Sequence, residues 1–132
     1  MISELRKIQS GKADRNVAKW DASVSPVMTF ISVITVMELE LGILLIERRD
    51  PAQAAILRGW LETRLLPAYT DRTLPVDIHV ARRCAALHVS VTRPDRDALI
   101  AATALVHGMV VATRNVTDFG MPGVQVVNPW DA

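Results

Sequence analysis

The sequence predicts an α/β domain in which a mostly parallel sheet is covered by helices on both faces. The central observation is the stretch 98–112, where an apolar helix ends at Gly108 and an unbroken apolar run follows at 109–112. Such a short run is typical of a strand buried on both faces of a parallel sheet, and the helix at 98–106 is expected to be covered all round. A further strand is expected at 124–127. A helix that leads into such a strand is half of a βαβ unit. We therefore expect a three-layer α/β/α arrangement, in which the sheet lies between two layers of helices.

Length and composition are those of a single domain. The chain has 132 residues, of which 50% are hydrophobic and only 5% aromatic, which suits an Ala-, Val- and Leu-rich core and excludes a disordered chain. The single Cys84 excludes an internal disulfide and a cysteine-based zinc site, and it fits a reducing cytoplasm. The apolar runs are too short for a membrane helix, and the charged N-terminus lacks the apolar segment of a signal peptide. We therefore expect one domain over residues 1–132, located in the cytoplasm and not in a membrane.

The first half of the chain predicts helices that are separated by a short strand. A helix is expected at 16–22, and a buried strand is expected at 28–33. Thr35 and Glu38 then have the spacing of a capping box, which predicts a helix that starts there and continues to Ile46.

Aspartate and proline residues mark the next helix boundaries. Asp50 is the expected N-cap and Pro51 the first residue of a helix that ends at Pro67. A short strand is expected at 73–76, and Asp77 is expected to cap the helix that follows. The inward-facing residues of that helix are expected to be Val80, Cys84 and Leu87.

Four polar residues stand where helices begin or strands end, namely Glu38, Asp97, Asn115 and Asp118. In an open parallel sheet, ligands bind beyond the carboxyl ends of the strands, where Asn115 and Asp118 are expected. Carboxylates gathered at one edge repel each other unless a cation joins them, and Mg²⁺ and Mn²⁺ prefer oxygen ligands. Such a cluster can orient a water molecule and stabilise a phosphodiester transition state.

Each of these acidic residues also has a purely structural explanation. Glu38 can complete the capping box with Thr35, and Asp118 can be a simple turn residue. Asp97 can complement the helix dipole in the first turn of its helix, although Asp95 can do the same while more exposed to solvent. The combination of these residues is therefore more specific than any single member.

Three arginines flank the candidate site. The guanidinium groups of Arg93, Arg96 and Arg114 have the planar fork that suits phosphates, although isolated arginines are commonly solvated surface residues. The histidines show no metal-ligand spacing, and no glycine-rich phosphate loop is present in the sequence.

Three stretches resemble the successive motifs of PIN-domain ribonucleases. They are Ile34-Thr-Val-Met-Glu38-Leu-Glu-Leu-Gly42, Arg96-Asp97-Ala-Leu-Ile-Ala-Ala-Thr-Ala104 and Thr113-Arg-Asn-Val-Thr-Asp-Phe119. The type that they resemble is the VapC toxin of bacterial toxin–antitoxin pairs, including its FitB-like branch. The closing Asn128-Pro129-Trp130 is also similar to that branch.

The resemblance implies a PIN-like α/β/α fold and an endoribonuclease that uses Mg²⁺ or Mn²⁺ held by acidic residues. By motif, Glu38, Asp97 and Asp118 are the catalytic residues and metal ligands. Asn115 falls where many relatives have Asp, so it is implied as a neutral metal ligand. The implied substrate-binding residues are Thr113, Arg114, Arg96 and Arg93.

The N-terminus departs from the pattern of the family that the chain resembles. Those proteins open with a strand that ends in Asp-Thr-Asn-Val before Ile-Ser-Glu, whereas this chain begins Met1-Ile-Ser-Glu4. The resemblance therefore implies that the first, central strand and the first catalytic Asp are missing from this chain. One hypothesis is an active endoribonuclease that acts on RNA as the toxin of a type II pair, is restrained by a cognate antitoxin and forms a homodimer. The other is a truncated or inactive fold that only binds an antitoxin or RNA.

Overall fold

The fold is described from a computed structural model, which covers residues 15–131 apart from the side chains at positions 17, 21 and 26. The expected loss of a first central strand concerns the N-terminal residues and lies outside this range. Residues 15–29 and 77–131 belong to one compact unit, and Phe30–Val76 form a second. We call them the main unit and the hairpin unit, and each is described by itself.

Helices dominate the described residues, and the strands are short. The helices are α1 (Arg15–Ser23), α2 (Val33–Glu47), α3 (Pro51–Trp60), α4 (Ile78–Ser90) and α5 (Asp95–His107). The strands are β1 (Ile31–Ser32), β2 (Thr73–Leu74), β3 (Val111–Ala112) and β4 (Val126–Val127). Short 3-10 helices are found at Pro26–Met28, Val116–Phe119 and Pro129–Asp131. Within residues 15–131, none of the helices has the length and apolar character needed to cross a membrane.

In the hairpin unit, β1 pairs in parallel with β2 and leads directly into α2. The helix begins immediately after the strand because Ser32 is its N-cap, and the Ser32 hydroxyl accepts a hydrogen bond from the backbone N–H of Ile34 at 3.0 Å. The predicted strand at 28–33 is therefore too long. The predicted capping box is wrong, since Thr35 already lies inside the helix and cannot be its N-cap.

The start of α3 is confirmed, whereas its predicted end is wrong. Asp50 Oδ1 accepts a backbone hydrogen bond at 3.1 Å, and Pro51 occupies the first turn of the helix. A π-helical turn (Leu61–Leu65) and a last α-helical turn (Leu66–Ala68) continue the helix, so Pro67 lies inside it. Proline is tolerated there because it stands at the start of the new α-helical turn, where its missing N–H is not needed.

In the main unit, α4 and α5 pack against each other. Asp77 caps α4 as predicted, since its Oδ1 accepts a hydrogen bond from the backbone N–H of Val80 at 3.0 Å. The predicted inward residues Val80, Cys84 and Leu87 are buried. Helix α5 presents mainly small residues to the core, and these are Ala98, Ala101, Ala102, Thr103 and Ala104.

The stretch from α5 to β3 has the predicted order of helix, glycine and strand, but it is less buried than predicted. Gly108 ends α5 as predicted, and its φ of 64° is the left-handed conformation that glycine adopts readily. The helix is not covered all round, because Val106 is 38% exposed. The strand is shorter than predicted, because Val110 is 51% exposed and only β3 itself pairs with β4. This pairing is again parallel, which confirms the predicted α/β class with parallel strands.

Candidate active site

Asp97 lies in the first turn of α5, three residues after the N-cap Pro94, which provides no side-chain cap. The helix has two acidic residues in this turn, and they have different surroundings. The Asp95 side chain is 91% exposed and lies 3.3 Å from Nε2 of His88, whereas Asp97 is half-buried. The two acids thus offer a comparison between a solvent-facing carboxylate and one that is turned toward the protein.

The electrostatics of Asp97 argue against a role in the helix dipole alone. Burial raises the pKa of the Asp97 carboxyl, and the negative charge of Asp118 raises it further. The positive charges of Arg96 and Arg93 lower the pKa but do not reverse the shift. A helix N-terminus stabilises a carboxylate and lowers its pKa, whereas burial and the charge of Asp118 act on the Asp97 carboxyl in the opposite direction.

The loop after β3 is fixed by backbone hydrogen bonds on both sides of the candidate residues. The backbone N–H of Thr113 donates to Val127 O at 3.0 Å and extends the pairing of β3 with β4. The Thr113 hydroxyl accepts a hydrogen bond from Asn115 N at 3.0 Å, and Asn115 O accepts one from Asp118 N at 3.1 Å. Buried Phe119 anchors the end of the loop. Asn115 and Asp118 are exposed, and these hydrogen bonds hold the backbone of the loop that carries them.

Of the three predicted arginines, Arg93 and Arg96 lie near Asp97, whereas Arg114 lies over the ring of Trp130. Arg93 Nη2 donates a long hydrogen bond of 3.4 Å to Gly120 O, and its buried Nε has no hydrogen-bond partner among the residues that the structure describes. Arg93 and Arg96 are both close enough to Asp97 to influence its pKa. Arg114 instead stacks on Trp130, a residue that the sequence analysis did not include in the site. The closing Asn-Pro-Trp motif was the available signal for it.

Glu38 belongs to the hairpin unit, where it is half-buried in α2 beyond the first turn. Because Ser32 is the N-cap, the capping-box explanation for Glu38 no longer applies. Glu40 forms an ion pair with Arg58 of α3, with Oε2 and Nη2 2.8 Å apart. Residues two apart are separated by about 200° around a helix, so Glu38 projects away from the side of α2 that carries this ion pair.

The donor atoms present in the main unit suit a hard divalent cation. Asp118 is close enough to Asp97 for its charge to act on that carboxyl group, which burial also affects, and two carboxylates with a neighbouring amide oxygen are the ligand types that Mg²⁺ and Mn²⁺ prefer. Among residues 15–131, no group of three or more His, Cys, Asp or Glu side chains is arranged to hold a metal ion. What the structure brings together is the pair formed by Asp97 and Asp118, with Arg93 and Arg96 beside it.

Comparison with known proteins identifies the family to which this fold belongs. The family profile of the PIN domain matches residues 8–119, so the chain belongs to the PIN domain family. The crystal structure of FitAcB from Neisseria gonorrhoeae has a TM-score of 0.83 and 33% identity, and the match covers 91% of this chain and 88% of that one. The structure of FitAB bound to the IR36 DNA fragment has a TM-score of 0.80 and 32% identity over 90% of this chain and 85% of that one.

Sequence relatives narrow the identification within the family. The chain is 36% identical over 137 residues to the VapC ribonuclease Y4jK of Sinorhizobium fredii, covering 99% of this chain and 94% of the relative. It is 34% identical over 122 residues to toxin FitB of Neisseria gonorrhoeae, covering 89% of this chain and 86% of the relative. These matches confirm the resemblance to VapC-type toxins and to their FitB-like branch.

Proposed function

We propose that this VapC-type protein is an Mg²⁺- or Mn²⁺-dependent endoribonuclease, the toxin of a toxin–antitoxin pair in the cytoplasm. The observation that carries the proposal is the proximity of Asp97 and Asp118 in a chain of the PIN domain family, where burial and the charge of Asp118 raise the pKa of Asp97. Placing a carboxylate that is already partly desolvated beside a second one is unfavourable in the free protein, unless a cation offsets the repulsion between them. The name of the Sinorhizobium relative, VapC ribonuclease, supports the assignment of RNA as the substrate.

The residues have distinct roles in this proposal. Glu38, Asp97 and Asp118 are the catalytic carboxylates and metal ligands, and Asn115 contributes a neutral oxygen. Mg²⁺ or Mn²⁺, if held by these residues, would supply Lewis-acid stabilisation of the phosphodiester and would make a water molecule more acidic. One of the carboxylates would orient that water and accept its proton.

The remaining predicted residues act on the substrate and on the shape of the loop. Thr113 holds the loop through its bond to Asn115 N, which keeps Asn115 and Asp118 next to each other. Arg93, Arg96 and Arg114 bind RNA phosphates. Arg93 suits this role, because the hydrogen bond of its Nη2 to Gly120 O is long, at 3.4 Å, and can be exchanged for one to a phosphate oxygen.

Cleavage by matched aspartate variants tests the proposal. Total RNA is incubated with the purified protein in EDTA, in Mg²⁺ and in Mn²⁺, using the parent, Asp97→Asn and Asp95→Asn. We expect metal-dependent internal cleavage by the parent and by Asp95→Asn, and a loss of at least about 100-fold in Asp97→Asn, because metal-ion catalysis supplies several kcal/mol. Cleavage that persists in EDTA, or an Asp97→Asn protein as active as the parent, contradicts the assignment.

An apolar stripe on α2 supports the antitoxin as partner. The stripe consists of exposed residues spaced three or four apart, and its members are Val33, Met37, Leu41, Leu44 and Leu45. They occupy about 120° of the helix surface, and Glu38 follows at the edge of this arc. A structural neighbour from Klebsiella pneumoniae is described as a toxin–antitoxin complex, so we propose that an apolar segment of the antitoxin covers this stripe beside Glu38.

Charged substitutions on two helices test whether the antitoxin binds this stripe specifically or any exposed apolar residue. Leu41→Glu lies within the stripe, whereas Ile56→Glu lies outside it on α3 and replaces a residue that is 62% exposed. We expect Leu41→Glu to abolish copurification with the antitoxin and to retain RNA cleavage, while Ile56→Glu retains both. If the two variants bind the antitoxin equally well, the stripe is not the antitoxin surface.

The resemblance also leads us to propose that the protein is a homodimer, and light scattering of the free protein measures its oligomeric state directly.

The second hypothesis, an inactive binding protein, has one observation in its favour. In the part of the chain that the structure describes, no group of three acidic, histidine or cysteine ligands is formed. If the protein binds RNA or an antitoxin but neither cleaves RNA nor is stabilised by Mn²⁺, this alternative replaces the first.

A further inference from the structure

The Arg114 guanidinium lies over the indole ring of Trp130, with Cζ 5.5 Å from the ring centroid. Arg114 is exposed and stands between Thr113 and Asn115, in the loop that also carries Asp118. Trp130 comes from the C-terminal 3-10 helix. This separation from cation to ring is within the range of an attractive cation–π contact.

The indole is presented by a backbone that is held from two sides. Trp130 N donates to Asn128 Oδ1 at 2.9 Å, and Trp130 O accepts a hydrogen bond of 2.6 Å from Asn16 Nδ2 of α1. The preceding Pro129 is fully buried. Trp130 is therefore a fixed platform, and a flexible arginine that stacks on it loses much of its freedom.

The charge of Arg114 is available to a ligand. Within residues 15–131, Arg114 forms no ion pair with a carboxylate. Arg93 and Arg96, in contrast, lie close enough to Asp97 to interact with its negative charge. Stacking covers one face of the guanidinium and leaves the N–H groups in its plane free to donate. A planar fork of N–H donors matches two oxygens of a phosphate.

We propose that Trp130 is a positioning residue, which holds the Arg114 guanidinium so that it binds a backbone phosphate of single-stranded RNA beside Asn115 and Asp118. This inference rests on the proposed ribonuclease function, because it names how the substrate of that site is held. The acidic residues repel a phosphodiester, and a pre-positioned cation in the same loop counteracts this repulsion.

RNA binding in a cleavage-deficient background tests the inference. Dissociation constants of a fluorescent single-stranded RNA are measured over a range of salt concentrations for Asp97→Asn alone and combined with Trp130→Leu, Trp130→Phe or Arg114→Ala. Trp60→Leu removes an indole from the hairpin unit and is the matched control. We expect Trp130→Leu and Arg114→Ala each to weaken binding several-fold and to reduce the magnitude of the salt slope by about 0.7, the value for one phosphate of a single strand. Trp130→Phe and Trp60→Leu should bind like the background.

The double variant Trp130→Leu/Arg114→Ala shows whether the two residues act together. If Trp130 acts through Arg114, the double variant binds no more weakly than Arg114→Ala, whereas additive losses overturn the inference. An unchanged salt slope in Trp130→Leu also overturns it. If Trp130→Leu does not fold, Arg114→Lys decides, because it keeps the charge and the platform but removes the planar fork. Arg114→Lys should then bind several-fold more weakly, and binding equal to that of Arg114 overturns the inference.

Kinetics in the active protein separate this inference from the proposed function. Trp130→Leu should raise KM for RNA and leave kcat close to the parent value, because a phosphate contact made equally in the ground and transition states affects KM alone. A parent protein that never cleaves RNA contradicts the proposed function, whatever Trp130 does for binding. A parent that cleaves RNA with a KM unaffected by Trp130→Leu contradicts the inference alone.

Discussion

Asp97 lies in the first turn of α5 close to Asp118, and its pKa is raised first by burial of its carboxyl group and further by the negative charge of Asp118. Two elements that are separate in the chain, a helix start and the loop after β3, thus place like charges close together. This arrangement disfavours the ionised form of Asp97 in the free protein and favours the binding of a cation. Stability and function should therefore respond oppositely to its neutralisation.

Replacing Asp97 by Asn should not destabilise the metal-free protein. The folded state carries an Asp97 carboxylate that is desolvated and repelled by Asp118, and the neutral amide removes both effects. We expect the unfolding free energy of Asp97→Asn, from urea titration in EDTA at neutral pH, to equal or exceed that of the parent. A loss of about 1 kcal/mol would instead point to a helix-dipole role. Asp95→Asn is the control, because its carboxylate lies in the same turn and is solvated.

The stability difference between the parent and Asp97→Asn should depend on pH. The folded pKa of Asp97 is raised above its ordinary value of 3.8, so the folded state binds this proton more tightly than the unfolded chain. The contribution of this carboxyl to stability is fully present below the unfolded pKa and is lost as the pH rises through the folded pKa. Unfolding free energies of both proteins in EDTA, measured from acidic to neutral pH, should show the parent losing stability relative to the variant. A parent that gains relative stability over this range would contradict the direction of the shift.

Divalent metal should stabilise the parent in a manner that depends on the acidic pair. A ligand that binds only the folded state adds roughly 2.7 kcal/mol to the unfolding free energy at a concentration 100 times its dissociation constant. The melting temperatures of the parent and of Asp95→Asn should therefore be higher in Mn²⁺ than in EDTA. Asp97→Asn and Asp118→Asn should respond much less. An equal response in all four proteins would indicate binding elsewhere.

Ser32, and not Thr35, should contribute the cap of α2. Ser32 is buried and its hydroxyl accepts the hydrogen bond from Ile34 N, so Ser32→Ala should lower the unfolding free energy by about 1 kcal/mol or more. Thr35→Ala replaces a residue inside the helix and should have a small effect, since alanine has the higher helix propensity. Urea titrations of the two variants measure the difference. A larger loss in Thr35→Ala would restore the capping box with Glu38.

The caps at Asp50, Asp77 and Gly108 could be predicted because each depends on neighbours in the chain. An aspartate three residues before an N–H donor can form its cap bond in almost any fold, and a glycine can adopt a positive φ wherever it stands. The start of α2 could not be predicted in this way. Ser32 and Thr35 are both able to cap, and the choice follows from where β1 ends, which is decided by its pairing with β2.

The sequence by itself determined the α/β class, the caps at Asp50, Asp77 and Gly108, and the motifs that carry the acidic residues, because these follow from local spacing and from family resemblance. The tertiary structure decided the two-residue length of β3, which depends on its partner β4. It also decided which charges act on Asp97, and that Arg114 meets Trp130. Burial, repulsion and stacking are set by segments that are distant in the chain, so no local pattern of residues encodes them.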